Sequence, residues 1–558
     1  MPPSRLFLLL TSPIQLKIKW GRPPGLRPTP TSASSLVAAI FLISTLVFAA
    51  PTSEVADAVA NHEAIQSLLA KHADVNAPQA DGTTALHWAA RWDDPETADL
   101  LIHAGADPKA ANRDGATPMF LAAQNGNAAM VEKLLKAGVD ANAPVLSHGE
   151  TALMMAARSG SLSSVKVLLD HGAKPDLKDD LRGTTAAMWA AEQGHADVIK
   201  LLADRGANLS AQSSSLTPLR RRGLGFAAAG SPPAPPKGGL TALLFAVRQG
   251  EMDCVKTLVA AHVDINRFSV DGSSPLLVAV QNGFYEIAAY LIDHGAQPNL
   301  ANNKGWTPLY LAVKNRNQET TALPAPSTDG VLPMIATLLD HGANPNLQIK
   351  ADTEIHQGMT ALWLKEAGAT PLLRAALCGD LTVVKLLLAH GADPLLPTFD
   401  HTTPLMVSSG VGWADGMLHE TSEDQTLEVV KLLISLGADV NAANDHGITA
   451  LHGAGYKGAN KAVQFLVDHG AKLDALDKGE DYGFGVSTVR MTPLNWAEGV
   501  PIGMSSAIYH TDTVELMSRL MKQRGIPVVL NSFHGKKGDN YSFGPSESPR
   551  PPLSEPRP

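Results

Sequence analysis

DGATPMFLAAQNG, residues 114–126, followed after a short gap by VEKLLKAGVD, residues 131–140, reads as two short helices meeting at a turn. Gly115 suits a tight turn that needs a positive φ. Thr117 is placed to cap the first helix with its hydroxyl, and Pro118 at the first helical position forfeits no needed N–H. Ala122 and Ala123 are small enough for a neighbouring helix to approach closely. In the second phrase Val131, Leu134 and Leu135 recur at helical spacing as one apolar stripe. Gly138 then ends that helix in the left-handed conformation. Two helices this short have nothing of their own to bury against.

The answer lies in repetition. Related phrases begin at Thr84, Thr117, Thr151, Thr185, Thr241, Ser274, Thr307, Thr370, Thr403, Thr449 and Thr492, at successive spacings of 33, 34, 34, 56, 33, 33, 63, 33, 46 and 43 residues. A unit of 33 recurs, and the longer gaps are that unit plus an insertion. A second phrase follows each time, as in VKVLLDHGAKPD (165–176) and VVKLLLAHGADP (383–394). No unit buries its apolar face alone, so stacking supplies the core.

The paired phrases resemble the ankyrin repeat, with its T-P-L-H-x-A-A segment and later V-x-x-L-L-x-x-G-A-D segment. The resemblance covers roughly residues 54–525. It implies an all-α ankyrin-repeat solenoid of helix–turn–helix units joined by projecting hairpin-like fingers. Eleven repeats follow an N-terminal cap over residues 54–79, and the segment from Thr492 serves as the C-terminal cap.

This frame decides the reading of TALHWAARWDD, residues 84–94, whose histidine, tryptophan and aspartates mimic the edge of an active site. The counterparts of His87 are Phe120, Met154, Met188, Leu244, Leu277, Tyr310, Leu373, Met406, His452 and Asn495. A position that accepts Phe, Met and Leu is a packing position. Trp88 aligns with Leu121, Met155, Trp189 and Phe245 and belongs to the core.

Other candidate chemistry fares no better. His171, His294, His341, His390 and His469 precede the glycine that ends a second helix, where a histidine complements the negative end of the helix dipole. Neighbours in that column are about 8–10 Å apart, too far to share a zinc at about 2 Å per ligand. At His72 and His262 the terminal glycine is itself replaced, by a residue that tolerates positive φ better than most. HETSE, residues 419–423, has Glu423 where a zinc protease needs its second histidine, and reads as an acidic loop. GLGFAA, residues 223–228, follows RRR rather than a buried strand and precedes SPPAPP, which forbids a long helix. The reading is therefore non-enzymatic, with no cofactor and no metal; an enzyme is left only as a site in the inserted loops of the C-terminal repeats.

Charge and cysteine usage bound the setting. The net charge is −9, yet no Asp or Glu precedes Glu54, while Arg5, Lys17, Lys19, Arg22 and Arg27 all do. LVAAIFLISTLVFAA, residues 36–50, then forms an apolar run of 15 residues, short of the roughly 20 a membrane span requires. Basic leader, short apolar run and the small residues Val47 and Ala49 form the pattern of a secretory signal cut after Ala49, with a retained N-terminal anchor as the alternative. Cleavage removes five positive charges and leaves a more acidic chain, which argues against nucleic acid as a partner and against membrane insertion. Cys254 and Cys378, the only cysteines, sit three repeats apart, beyond disulfide reach.

The domain plan is thus a leader and signal over 1–50, cap and first block over 51–209, a Pro/Gly-rich linker or insertion over 210–238, a second block over 239–525 and a disordered tail over 526–558. Insertions at 210–238, 348–368 and 477–490 enter the fingers; those at 316–332, 410–426 and 500–511 separate the two helices of a unit. Insertions in such arrays often mark the binding face, and aromatic residues with a polar surround compose binding hot spots. Trp413, Tyr482 and Phe484 meet that description. The resemblance implies a protein partner held on a concave surface by the fingers and the two residues after each A-A phrase. Those residues are Arg91 and Trp92, Gln124 and Asn125, Arg158 and Ser159, Glu192 and Gln193, Arg248 and Gln249, and Gln281 and Asn282. Beyond Thr370 the pattern degrades, with Leu377 and Cys378 in the equivalent places. The expected function is an exported, bacterial-type protein-binding scaffold, with a secreted effector that mimics host ankyrin proteins as the alternative.

Overall fold

Most T-P-L-H-like phrases become a helix capped by their threonine or serine side chain, with Thr185 an exception, and each V-x-x-L-L phrase becomes the antiparallel partner. The structure, a computed structural model, describes residues 53–216, 237–317, 330–351, 364–413, 422–479, 490–500 and 508–530. The leader and apolar run of residues 1–50, the middle of each insertion, Tyr482, Phe484 and residues 531–558 lie outside the described residues.

In repeat 2 the Phe120 amide donates to the Thr117 hydroxyl at 3.2 Å, Pro118 opens the helix Pro118–Asn125, and Gly126 closes it with φ 72°. The second helix, Ala128–Lys136, buries Met130, Val131, Leu134 and Leu135, then turns at Gly138 with φ 92°. The same pair recurs down the chain, from Ala85–Arg91 with Pro95–His103 in repeat 1 to Pro493–Ala497 with Thr511–Gln523 in repeat 11. The cap contributes Glu54–Ala60 and Gln66–Ala70.

First helices pack on first helices at every step of the series, and second helices on second helices at most steps, so the first-helix row runs without a gap through the described residues. The first row packs more closely, because its contact positions are alanines: Ala89, Ala122, Ala156, Ala190, Ala246, Ala279 and Ala312 are fully buried. The core between the rows is correspondingly long and continuous.

The Pro/Gly-rich insertion does not interrupt this stack. Helices of repeats 4 and 5 pack directly on one another, and the insertion leaves and returns through a two-residue antiparallel ladder, Ser215 opposite Gly238 and Leu216 opposite Lys237. The insertion at 348–368 is likewise closed at its base, with the Ile349 amide on the Ala369 carbonyl and the Gly368 amide on the Ile349 carbonyl. At 477–490 the Asp477 amide donates to the Met491 carbonyl, and the Met491 amide returns to the Asp477 carboxylate at 2.8 Å. Of HETSE, Ser422 and Glu423 lie among the described residues, and there they cap and open the helix Glu423–Ser435 rather than forming a loop. Past Gly525, Ile526 and Val528 still pack on the core, and the Asn495 amide donates to the Val529 carbonyl at 3.1 Å.

Two kinds of stitch join successive units. One backbone bond links most neighbouring fingers, among them Arg113 to Asp81, Asp180 to His148, Ser214 to Arg182, Asn303 to Asp271 and Asp445 to Asp400. A side-chain clamp repeats beside them: the Asn299 amide donates to the Gly342 carbonyl at 2.8 Å while its oxygen accepts from the Asn344 amide at 2.7 Å. Asn76, Asn142, Asn266, Asn346 and Asn441 make the same two bonds to the unit that follows each of them.

Candidate protein-binding surface

His87 is buried, as its packing counterparts require, but it also carries two polar tasks. Its Nδ1 accepts from the Thr84 amide at 3.1 Å, and its Nε2 meets the Ala116 carbonyl of the next repeat at 2.9 Å. One partner is an N–H and the other a C=O, so the proton sits on Nε2, which donates across to the carbonyl. His452 repeats this arrangement with Thr449 and the Met491 carbonyl, at 3.1 and 3.2 Å. Burial depresses the affinity of both rings for a second proton, His452 to about 4. Each histidine ties a first helix to the adjacent finger.

The column histidines cap their own helices. Nδ1 of His171, His294, His341, His390 and His469 each donates to the carbonyl four residues back, at 2.8–2.9 Å. His72 and His262 hold φ of 59° and 56° where other repeats place glycine.

The residues after the A-A phrases divide into two classes. The first of each pair mostly faces outward: Arg91, Gln124, Arg158, Arg248 and Gln281 are exposed, while Glu192 is half-buried. The second is often turned to the neighbouring repeat. Asn125 donates to the Arg91 carbonyl at 2.9 Å and to the Asp93 carboxylate at 3.0 Å. Asn282 reaches the Arg248 carbonyl at 3.4 Å, and the Ser159 hydroxyl donates to the Ala123 carbonyl at 3.1 Å. These side chains stitch the stack. Gln193 and Gln249 are exposed. Trp92 is 43% exposed, stacked on Trp88 at 5.8 Å and tilted against His62 of the cap at 4.7 Å.

Aromatic rings lie under several cations of this row, a pairing the repeat pattern does not spell out. The Arg91 guanidinium stands 5.6 Å from the Trp88 ring, and Arg158 stands 5.1 Å from Trp189. Arg182, from a finger, approaches the same Trp189 ring at 4.6 Å while its two terminal nitrogens pair with Glu192 at 3.2 and 3.4 Å. Lys304 and Lys314 lie 4.9 and 5.8 Å from Trp306. Recurring aromatics at the position of Trp88 were the available signal for Trp88 and Trp189; Trp306 instead precedes the capping Thr307, in the same finger as Lys304.

From repeat 8 onward this side is closed. Leu377 and Cys378 are buried, and Ser408 and Ser409 turn their hydroxyls onto the Leu405 carbonyl. Trp413, expected as an open anchor, is 8% exposed and meets Tyr456 edge-on at 6.1 Å, with Trp496 beyond. The Val411–Trp413 stretch lies so close that a Cβ at Gly453 would sit 2.5 Å from the Val411 amide nitrogen. In repeat 8 the Arg374 guanidinium meets the Glu366 carboxylate at 3.0 Å, both side chains buried. Tyr482 and Phe484 lie outside the described residues. Among the described residues no three His, Cys, Asp or Glu side chains converge as a metal site, and no helix is long and apolar enough to cross a membrane.

Comparison with known proteins agrees with this architecture. The family model described as "Ankyrin repeats (3 copies)" matches residues 55–145, 96–179, 140–213, 243–349, 400–477 and 418–498, and the single-repeat model matches 367–399. Similar curated proteins include the E3 ubiquitin-protein ligase KEG of Arabidopsis thaliana, 23% identical over 45% of this chain and 16% of its own length. Human transient receptor potential cation channel subfamily A member 1 is 27% identical over 43% of this chain and 25% of its own length. The chain thus spans a quarter or less of either. The ankyrin repeat protein YahD of Escherichia coli (strain K12) is 28% identical over 35% of this chain and 95% of its own length. Among solved structures the human ASB11 ankyrin repeat domain is similar at 24% identity, with a TM-score of 0.37, over 47% of this chain and 99% of that one. With family models matching well over half of its length, the chain belongs to the ankyrin repeat family.

Proposed function

We propose that this protein is a non-enzymatic scaffold that holds a protein partner on its first-helix row and the adjoining fingers. The observation that supports the reading is the row of residues seven positions after each cap. From repeat 1 to repeat 6 that residue is exposed at every step but Glu192, which is half-buried, while the residue before it is buried and Asn125, Ser159 and Asn282 after it bond back to the preceding repeat. Such a row is rigid before a partner arrives, so association orders few side chains. The array works outside the cytoplasm, in a bacterial periplasm, on the strength of the basic leader and apolar run.

Proximity labelling with the full chain, followed by reconstitution with the labelled protein, tests the scaffold. One protein bound at a fixed stoichiometry is the expected result; an array that retains no protein under these conditions would sink it. Cell fractionation with mass spectrometry of the N-terminus tests the setting. A mature chain starting at Ala50 in the periplasmic fraction is expected, and a cytoplasmic chain with its leader intact would overturn the location.

A further inference from the structure

The first-helix row carries a charge pattern with a two-repeat period. Seven residues after the capping Thr or Ser stand Arg91, Gln124, Arg158, Glu192, Arg248, Gln281 and Lys314 in repeats 1 to 7. Every odd repeat carries a cation there, exposed in Arg91, Arg158 and Arg248 and half-buried in Lys314. The one acid, Glu192, is already neutralised by Arg182 at 3.2 Å. Nearby carboxylates are also engaged: Asp93 by Asn125 at 3.0 Å, and Asp94 by the Thr97 amide at 2.9 Å. In a chain of net charge −9 this row is a local exception in sign.

We propose that the row from repeat 1 to repeat 7 seats an extended acidic polypeptide segment of the protein partner, its carboxylates meeting Arg91, Arg158, Arg248 and Lys314 in turn. This deepens the scaffold reading and rests on it. Trp88 and Trp92 beside Arg91, Trp189 beside Arg158 and Trp306 beside Lys314 hold three of the four cations against ring faces at 5.1–5.9 Å. A cation ordered that way loses less rotamer freedom on binding. Gln124 and Gln281, exposed between the cations, offer amides to the backbone of an extended chain. The helix spacing gives the periodicity of the segment. Two steps of about 8–10 Å each, against about 3.3 Å per extended residue, place a carboxylate about every five or six residues. A nucleic acid fits less well, because the rest of the chain repels a continuous phosphate backbone. The row ends at repeat 8, where Leu377 is buried.

The test is fluorescence anisotropy of the full chain with a fluorescein-labelled Gly/Ser peptide bearing glutamate at every sixth position, and with a peptide of the same composition whose glutamates are clustered. The spaced peptide should bind more tightly. Arg91→Glu, Arg158→Glu and Arg248→Glu together should weaken it about tenfold or more, since each reversal replaces an attraction with a repulsion. Glu192→Gln should strengthen it, an effect misfolding would not produce. Circular dichroism should show unchanged helix content in both variants. Equal binding of the clustered peptide, indifference to the triple reversal, or tighter binding of a DNA duplex than of the spaced peptide would each overturn the proposal. A reconstituted partner that binds the triple variant as well as wild type removes the charge assignment and leaves the scaffold. Charge-dependent peptide binding with no protein partner retained removes the scaffold and leaves the surface.

Discussion

Acid should loosen the C-terminal end of the array first, through His452. Its ring is fully buried, its Nε2 donates to the Met491 carbonyl, and the Trp496 indole packs edge-on at 5.7 Å. Burial lowers its proton affinity; the Met491 carbonyl and the Asp477 carboxylate offset this only in part, leaving the folded-state value at about 4 against an ordinary 6.5. Because the folded value is the lower one, the unfolded chain binds the proton more readily. The neutral ring's contribution is complete above about pH 6.5 and is lost as pH falls towards 4, amounting to about 3 kcal/mol in full and about 2 kcal/mol by pH 5. In a one-dimensional stack such a loss is felt by the repeat that suffers it and its neighbour. Hydrogen exchange of Ala450–Lys457 and Pro493–Ala497, corrected for intrinsic rates, should therefore lose about 30-fold in protection between pH 7.5 and 5. The helix Ala152–Ser159, where Met154 holds the equivalent place, should lose far less. His452→Met supplies the control, since the Met154 sulfur already accepts the Thr151 amide at 3.4 Å in the same position. The variant should be weaker at neutral pH, having lost the Met491 bond, but nearly flat with pH. An undiminished acid loss in the variant would refute the assignment to this ring.

Three further outcomes are expected. Asn299→Ala removes both bonds of one clamp to the next repeat and should lower stability by about 1–2 kcal/mol in urea titration, with helix content kept. Glu366→Gln removes the carboxylate charge that the buried Arg374 guanidinium meets at 3.0 Å, and should lower stability in urea titration and raise exchange in Pro371–Leu377. Burial raises the Cys254 thiol to about 12, so iodoacetamide at pH 8 should label it only after denaturant unfolds repeat 5, as mass spectrometry would show.

The division between what was legible and what was not follows residue by residue. Thr117, Pro118, Ala122, Leu134 and Gly138 act on their own helix or on any similar helix beside it, so a recurring phrase is enough to read them. His72 and His262 were readable for the same reason, since a positive φ is a property of one residue. His87 was half legible: alignment with Phe, Met and Leu gave its burial, but its bond to Ala116 spans 29 residues and needs the finger in place. Trp413 read as a binding anchor because its flanks are polar, yet it packs on Tyr456 of the next unit.

By itself, then, the sequence determined the unit, its count and its caps, because those depend on contacts within about one turn of helix and on a period that repeats. Only the tertiary structure decided which polar side chains serve the stack and which face outward. Asn125 and Gln124 are adjacent and equally polar in sequence; one reaches Arg91 across 34 residues and the other does not. That choice is made by the distance between neighbouring helices, a quantity no single repeat contains.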